Sequence, residues 1–192
     1  MKKLIASIIA LIVVTVVIFS AQTVAYFTDD DINSVISLEG SHLSGEIIET
    51  TASVGGGEPV QGPTEMRIVP GAKVGKTVSV KNTGDIDMYL RIKVDKEFTL
   101  SPENEGKPTD GTLISFEING NYWEERDGFY YYKTKVGCGE TTEPLFTEIE
   151  FSSKMNNVYT NSTVSFRVKA YATQATGNST SVFDAQGWPD AS

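Results

Sequence analysis

The chain has 192 residues, of which 40% are hydrophobic and 21% are charged, and its formal net charge is −9. This composition excludes a wholly disordered chain, and the acidic balance argues against a nucleic-acid partner, because phosphate binding needs clustered Lys and Arg. One Cys and one His exclude an intramolecular disulfide framework, a Cys-rich zinc site and the two-histidine helical zinc motif.

The N-terminus has the layout of a secretory signal peptide. Lys2 and Lys3 precede an apolar run over residues 4–19, and small residues follow it. We therefore predict a signal-peptide helix over residues 1–25, cleaved between Ala25 and Tyr26, which predicts a secreted protein. The alternative is an uncleaved membrane anchor, since about 20 residues suffice to cross a bilayer. Membrane contact is expected only through this segment.

The segment that cleavage would free, residues 26–38, precedes the first secure strand. It carries three aspartates and six large apolar side chains, namely Tyr26, Phe27, Ile32, Val35, Ile36 and Leu38. Such a segment suits insertion into the sheet edge of a second copy, where main-chain hydrogen bonds give strength and alternate apolar side chains set the register. The alternative is that residues 26–38 form the first strand of their own domain, and both interpretations stay open here.

Strict alternation of apolar and polar residues predicts β-strands along the rest of the chain. The two longest cover residues 88–94 and 164–172, and shorter ones cover 77–81, 113–118, 129–135 and 147–151, the last with Thr147, Ile149 and Phe151 facing inward. Gly and Asn turns separate them. We predict an all-β fold, an antiparallel two-sheet, jelly-roll-like sandwich in one domain (26–192), with flexible loops at 50–64 and 101–110.

Candidate sites for metal or catalytic chemistry are few. Asp29 and Asp31 begin a calcium-loop pattern that fails, because Ser34 and Gly40 stand where a glycine and a bidentate glutamate are needed. His42 lacks the partners that tetrahedral zinc or a serine triad requires. We predict no catalytic residue, no metal site and no cofactor.

Two features leave alternatives open. Cys138 lies between two glycines on a turn and is either a tolerated turn residue or an exposed thiol that crosslinks two chains. The aromatic run at residues 129–132 is either a carbohydrate-binding platform or a strand buried on both faces or in an interface.

Four stretches, taken together and in order, resemble the TasA and camelysin family of exported Gram-positive proteins. They are the junction at residues 23–29, the "PG…V-N-x-G" hairpin with the strand after it (69–71, 78–85 and 89–91), the strand–turn–strand unit (130–133 and 139–146), and the closing strand with a terminal Trp (168–175 and 187–189). Family members commonly have a Pro in the place of Cys138.

The resemblance implies a jelly-roll sandwich and a structural role, as a subunit of an extracellular fibre in a biofilm matrix. It implies three kinds of partner: further copies of the same chain, a SipW-type signal peptidase and other matrix proteins. Camelysin-like relatives have been described as metalloproteases, but this chain has no H-E-x-x-H motif. A secreted metalloprotease and a surface or glycan-binding module are the alternative functions.

Overall fold

The computed structural model describes residues 34–38, 42–52 and 58–190. The predicted signal-peptide helix and its cleavage point between Ala25 and Tyr26 lie outside the described residues. Within them the chain forms short 3-10 turns and eleven strands: β1 (Val35–Leu38), β2 (Gly45–Thr51), β3 (Val60–Gln61), β4 (Met66–Arg67), β5 (Lys73–Asn82), β6 (Met88–Thr99), β7 (Ile114–Phe116), β8 (Trp123–Arg126), β9 (Phe129–Tyr132), β10 (Glu148–Phe151) and β11 (Thr163–Gln174).

The strands form two sheets, which confirms the predicted mostly-β fold. The first sheet has the order β1-β11-β6-β9-β8, with β4 also paired to β11, and the second has the order β3-β2-β5-β10-β7. Every strand pair is antiparallel except β1–β11, which is parallel.

The centre of the first sheet is the long pair β6–β11. Its twelve-residue register places Val168 opposite Val94 and Ala170 opposite Ile92. The inward residues of β11 predicted by alternation are buried, and one hydrophobic cluster joins them to Val78 and Val80 of the second sheet. Both sheets therefore contribute to one core, because each buries the apolar half of its alternating pattern.

The outer face of the first sheet is also covered. Tyr89 and Tyr171, on the faces of β6 and β11 that point away from the core, are 7% and 2% exposed. Tyr89 belongs to a second, smaller cluster with residues of the C-terminal segment, among them Val182 and Trp188. Alternation alone could not indicate this, because the covering segment is not itself a strand.

Two details differ from the sequence prediction. Thr147 is exposed and lies just before β10, so its predicted inward orientation is wrong, whereas Ile149 and Phe151 are fully buried. The predicted loop at residues 50–64 contains paired strand residues at both ends, since Thr50 and Thr51 of β2 pair with β3. The β-branched threonines favour extended backbone. Residues 101–110 contain turns and no strand.

Candidate functional site

Strand β1 is an edge strand formed by the end of the predicted assembly segment. Val35 pairs with Lys169 and Leu38 with Ala172, in parallel register along the edge of β11. Of the predicted assembly residues, Val35, Ile36 and Leu38 are therefore placed in the first sheet of their own chain. Tyr26, Phe27 and Ile32 lie outside the described residues.

The two sides of β1 have different environments. Ile36 and Leu38 pack against the main core, whereas Val35 is 48% exposed. Gly45 makes room for the inward side: a Cβ atom at Gly45 would lie 2.4 Å from Cδ1 of Ile36. Real Cβ atoms do not approach a carbon so closely, so the missing side chain at Gly45 creates the space that Ile36 fills.

Beside Ile36 the interior contains a buried ion pair. Nζ of Lys76 donates to Oε2 of Glu49 over 2.7 Å and to Oγ1 of Thr51 over 3.3 Å. The side chains of Lys76 and Glu49 are 0% and 1% exposed. The other carboxylate oxygen of Glu49 accepts a hydrogen bond from the hydroxyl of Ser34, the residue just before β1. The segment that contains β1 thus completes the hydrogen bonding of a buried carboxylate, whose solvation water has been removed.

The pairing of β2 with β5 explains why two charged residues point inward. Thr51 lies opposite Lys76, and Glu49 lies opposite Val78. These four side chains therefore point to the same face of the sheet as the buried Val80. Our sequence analysis missed this pair. The signal was present, because continuing the predicted alternation of Val80 and Val78 by one step places Lys76 on the same buried face. We refer to Gly45, Glu49, Lys76 and the β11 residues 169–172 together as the β1 site.

An open groove is lined by residues that adjoin the β1 site along the chain. Ala52 and Gly75, which follow Thr51 and precede Lys76, line a groove of about 430 Å³. Its wall includes Val69, which is 49% exposed, and the basic side chains of Arg67 and Lys73 also line it. The groove therefore combines an apolar wall with the positive charge of Arg67, whereas the charge of Lys73 is paired with Glu148 and Glu150.

The aromatic run of β9 is divided between the two faces of the first sheet. Tyr130 packs against the main core and Tyr132 is 9% exposed, whereas Tyr131 packs against the second cluster. On that side the guanidinium of Arg91 lies 4.2 Å from the ring centre of Phe129 and 4.8 Å from that of Trp188. The run thus packs against a hydrophobic cluster on each face, with Tyr132 buried and the other three residues partly buried.

Burial also changes the acidity of nearby phenols. The pKa of Tyr171 is raised, mainly because burial disfavours the phenolate, although the positive charge of Arg91 acts in the opposite direction. The pKa of Tyr130 is raised by burial and, in addition, by the negative charge of Glu125. Both phenols therefore stay protonated at neutral pH and serve as packing groups.

The remaining candidates lie at the surface. Cys138 is exposed, and its thiol donates to the carbonyl oxygen of Gly84 over 2.9 Å. Nδ1 of His42 lies 3.4 Å from the carboxylate of Asp85, with both side chains largely exposed. No group of three or more His, Cys, Asp or Glu residues within the described ranges is arranged to hold a metal ion.

Comparison with protein-family models, with curated proteins and with solved structures finds no match to this chain. In the part of the chain that the structure describes, no helix has the length and apolarity of a membrane span.

Proposed function

We propose that this protein is a secreted structural subunit of an extracellular matrix fibre. In this proposal the two sheets form a jelly-roll-like sandwich, and copies of the chain join head to tail when the N-terminal strand of one copy occupies the β1 site of the next. Such a contact is heterologous and does not close on itself, so it generates a filament rather than a dimer.

The observation that carries the proposal is the pairing of β1. It is a four-residue edge strand, it is the only parallel partner among the described strands, and it belongs to the segment that follows the predicted cleavage point. An edge strand held by few hydrogen bonds is a common element for exchange between copies. The β1–β11 pair within one chain is what the alternative interpretation predicts, and in this proposal it is the state of a free subunit, whose strand is folded back onto its own sheet.

The groove lined by Val69 and Arg67 adds support through its charge. The segment before β1 carries the aromatic residues Tyr26 and Phe27 and the three aspartates at 29–31. The apolar wall suits the two aromatic residues, and the positive charge of Arg67 suits the aspartates. In the proposed fibre, the continuation of the inserted strand lies in this groove of the neighbouring copy.

The family resemblance supports the cellular setting. It implies export, cleavage between Ala25 and Tyr26 by a SipW-type signal peptidase, and a place among other matrix proteins. Loss of residues 1–25 removes Lys2 and Lys3 and no acid, which leaves 14 basic against 25 acidic residues, a net charge of −11. A strongly acidic chain remains soluble until its copies engage specifically.

The test is electron microscopy of the purified chain beginning at Tyr26, at increasing protein concentration. The wild-type chain is expected to form filaments, and a chain that lacks residues 26–38 is expected to form none. Because the deletion could also impair folding, Ile36→Asp provides a second variant and Val35→Asp, at the exposed position of the same strand, provides its control. Filaments of normal appearance from the deletion variant or from Ile36→Asp would overturn the proposal, as would a wild-type chain that stays monomeric throughout.

A further inference from the structure

We infer that the β1 site selects its occupant, so that it accepts the N-terminal strand of a second copy of this chain and rejects other apolar strands. Two contacts provide this selection. The carboxylate of Glu49 accepts a hydrogen bond from the hydroxyl of Ser34, and the side chain of Ile36 fills the space at Gly45. This inference rests on the proposed function, in which the strand is exchanged between copies.

The first contact selects a hydroxyl group. Lys76 satisfies Oε2 of Glu49, and Ser34 donates to the other oxygen. The Glu49 side chain is 1% exposed, so water is almost excluded. A strand with an aliphatic side chain at position 34 would leave a charged acceptor buried without its donor, which is a large penalty in a medium of low polarity.

The second contact matches the space at Gly45 to the side chain of Ile36 and favours one register. Cδ1 of Ile36 occupies the space that a Cβ atom at Gly45 would take. A shift of the strand by one residue would turn its apolar side chains away from the core. A shift by two residues would place Ile36 against the carboxylate of Glu49. The observed register is therefore the one that keeps both contacts.

The N-terminal strand of this chain meets both requirements. Residues 34–38 read Ser-Val-Ile-Ser-Leu and occupy the site of their own chain. A second copy offers the same side chains at the same spacing. Hydrophobicity alone would accept many apolar strands, whereas a buried polar contact and a shaped space discriminate among them.

Hydrogen exchange on the monomeric chain tests the contacts without any assembly. We expect Ser34→Ala and Gly45→Ala each to accelerate exchange of the β1 amides about tenfold, since an unpaired buried acceptor or a steric clash loosens the strand. Val35→Ala, on the exposed side of β1, is the matched control and should leave these rates unchanged. Unchanged β1 rates in both Ser34→Ala and Gly45→Ala would overturn the inference.

Capping of filament growth by synthetic peptides of residues 26–38 tests selection between chains. The wild-type peptide should stop growth of the full mature chain at about a tenfold lower concentration than the Ser34→Ala peptide. On a Gly45→Ala chain the Ile36→Ala peptide should be more potent than the wild-type peptide, because its smaller side chain leaves room for the added methyl group. Equal potency of all three peptides would overturn the inference that the β1 site selects its occupant. Filament growth in the same experiment would still support the proposed function. A wild-type chain without filaments would instead overturn the function, and the exchange rates would still decide the two contacts.

Discussion

At the scale of single residues, the ion pair of Glu49 and Lys76 is the most unusual feature of the interior. Moving two charges out of water costs several kcal/mol per ion, and their attraction offsets this only when the geometry is good and the other hydrogen bonds are made. Here the 2.7 Å contact meets that condition, together with Thr51, which accepts a hydrogen bond from Lys76, and Ser34, which donates one to Glu49. Apolar residues of similar volume often replace such a pair without loss of stability, so we expect the ion pair to add little net stability.

Single and double replacement of this pair should give different results. Glu49→Gln or Lys76→Met alone should lower the free energy of unfolding by about 3–5 kcal/mol, because each leaves an unpaired buried partner. Glu49→Leu combined with Lys76→Met should lower it by less than either single change. Urea unfolding measures all three. Lys73→Met is the control, since Lys73 pairs with Glu148 at the exposed surface and should leave the unfolding midpoint unchanged. A double variant as unstable as the sum of the singles would contradict this account.

A surface pair makes a prediction about pH. The hydrogen bond from Lys135 lowers the pKa of Asp87, and the same contact raises the pKa of Lys135. The stabilisation is therefore present at neutral pH, is lost as the pH falls through the folded-state pKa of Asp87, and is lost again as the pH rises through that of Lys135. In an NMR titration, Lys135→Met should raise the pKa of Asp87 towards its ordinary value, whereas Lys133→Met should not. An unchanged Asp87 titration in Lys135→Met would refute the assignment.

At the scale of elements, the turn between β8 and β9 shows how two residues define a hairpin. Asp127 and Gly128 both have positive φ, 52° and 77°. This is the pattern of the type I′ turn, whose twist matches that of the flanking strands. The hairpin places Trp123 against Tyr132, with ring centres 5.0 Å apart, so the turn also positions the aromatic side chains of the outer strands.

Alanine substitution should destabilise the protein more at the glycine of this turn than at a glycine without positive φ. Gly128→Ala should lower the free energy of unfolding by about 1–2 kcal/mol, because an L side chain is strained at positive φ. Gly120→Ala is the matched control: its backbone is not in that region and no atom lies within 4 Å of an added Cβ. Thermal unfolding distinguishes the two. Equal melting temperatures for both variants would show that the turn conformation is not required for stability.

At the scale of the whole molecule, the local pattern predicted the long strands best. Strands β6 and β11 alternate strictly because both contribute one face to the core, and the sequence identified them. It did not identify β2, since Glu49 interrupts the apolar face with a charge that only the opposing Lys76 makes tolerable. The sequence singled out the apolar segment that contains β1 but did not predict the β1 site, because the contacts with Gly45 and Glu49 depend on residues brought together by the fold.

Net charge makes a prediction about assembly. In the proposed fibre, cleaved copies that each carry −11 repel one another, and salt screens this repulsion, with a Debye length that falls from about 30 Å at 0.01 M to about 10 Å at 0.1 M. Light scattering should therefore report faster filament growth as sodium chloride is raised over this range. Replacing four exposed acids, Glu103, Glu105, Glu117 and Glu143, by Gln should reduce the salt dependence. Growth that slows with added salt would contradict a repulsive barrier.

The parallel pair of β1 and β11 joins the first described strand to the last. A ribosome makes the chain from the N-terminus, so β1 emerges while its partner is still unmade, and the interval up to β11 is on the order of 10 s at usual rates of translation. During that delay β1 has no partner strand in its own chain. The parallel pair can therefore form only after nearly all of the described chain has been made, although β1 is the first described strand to be made.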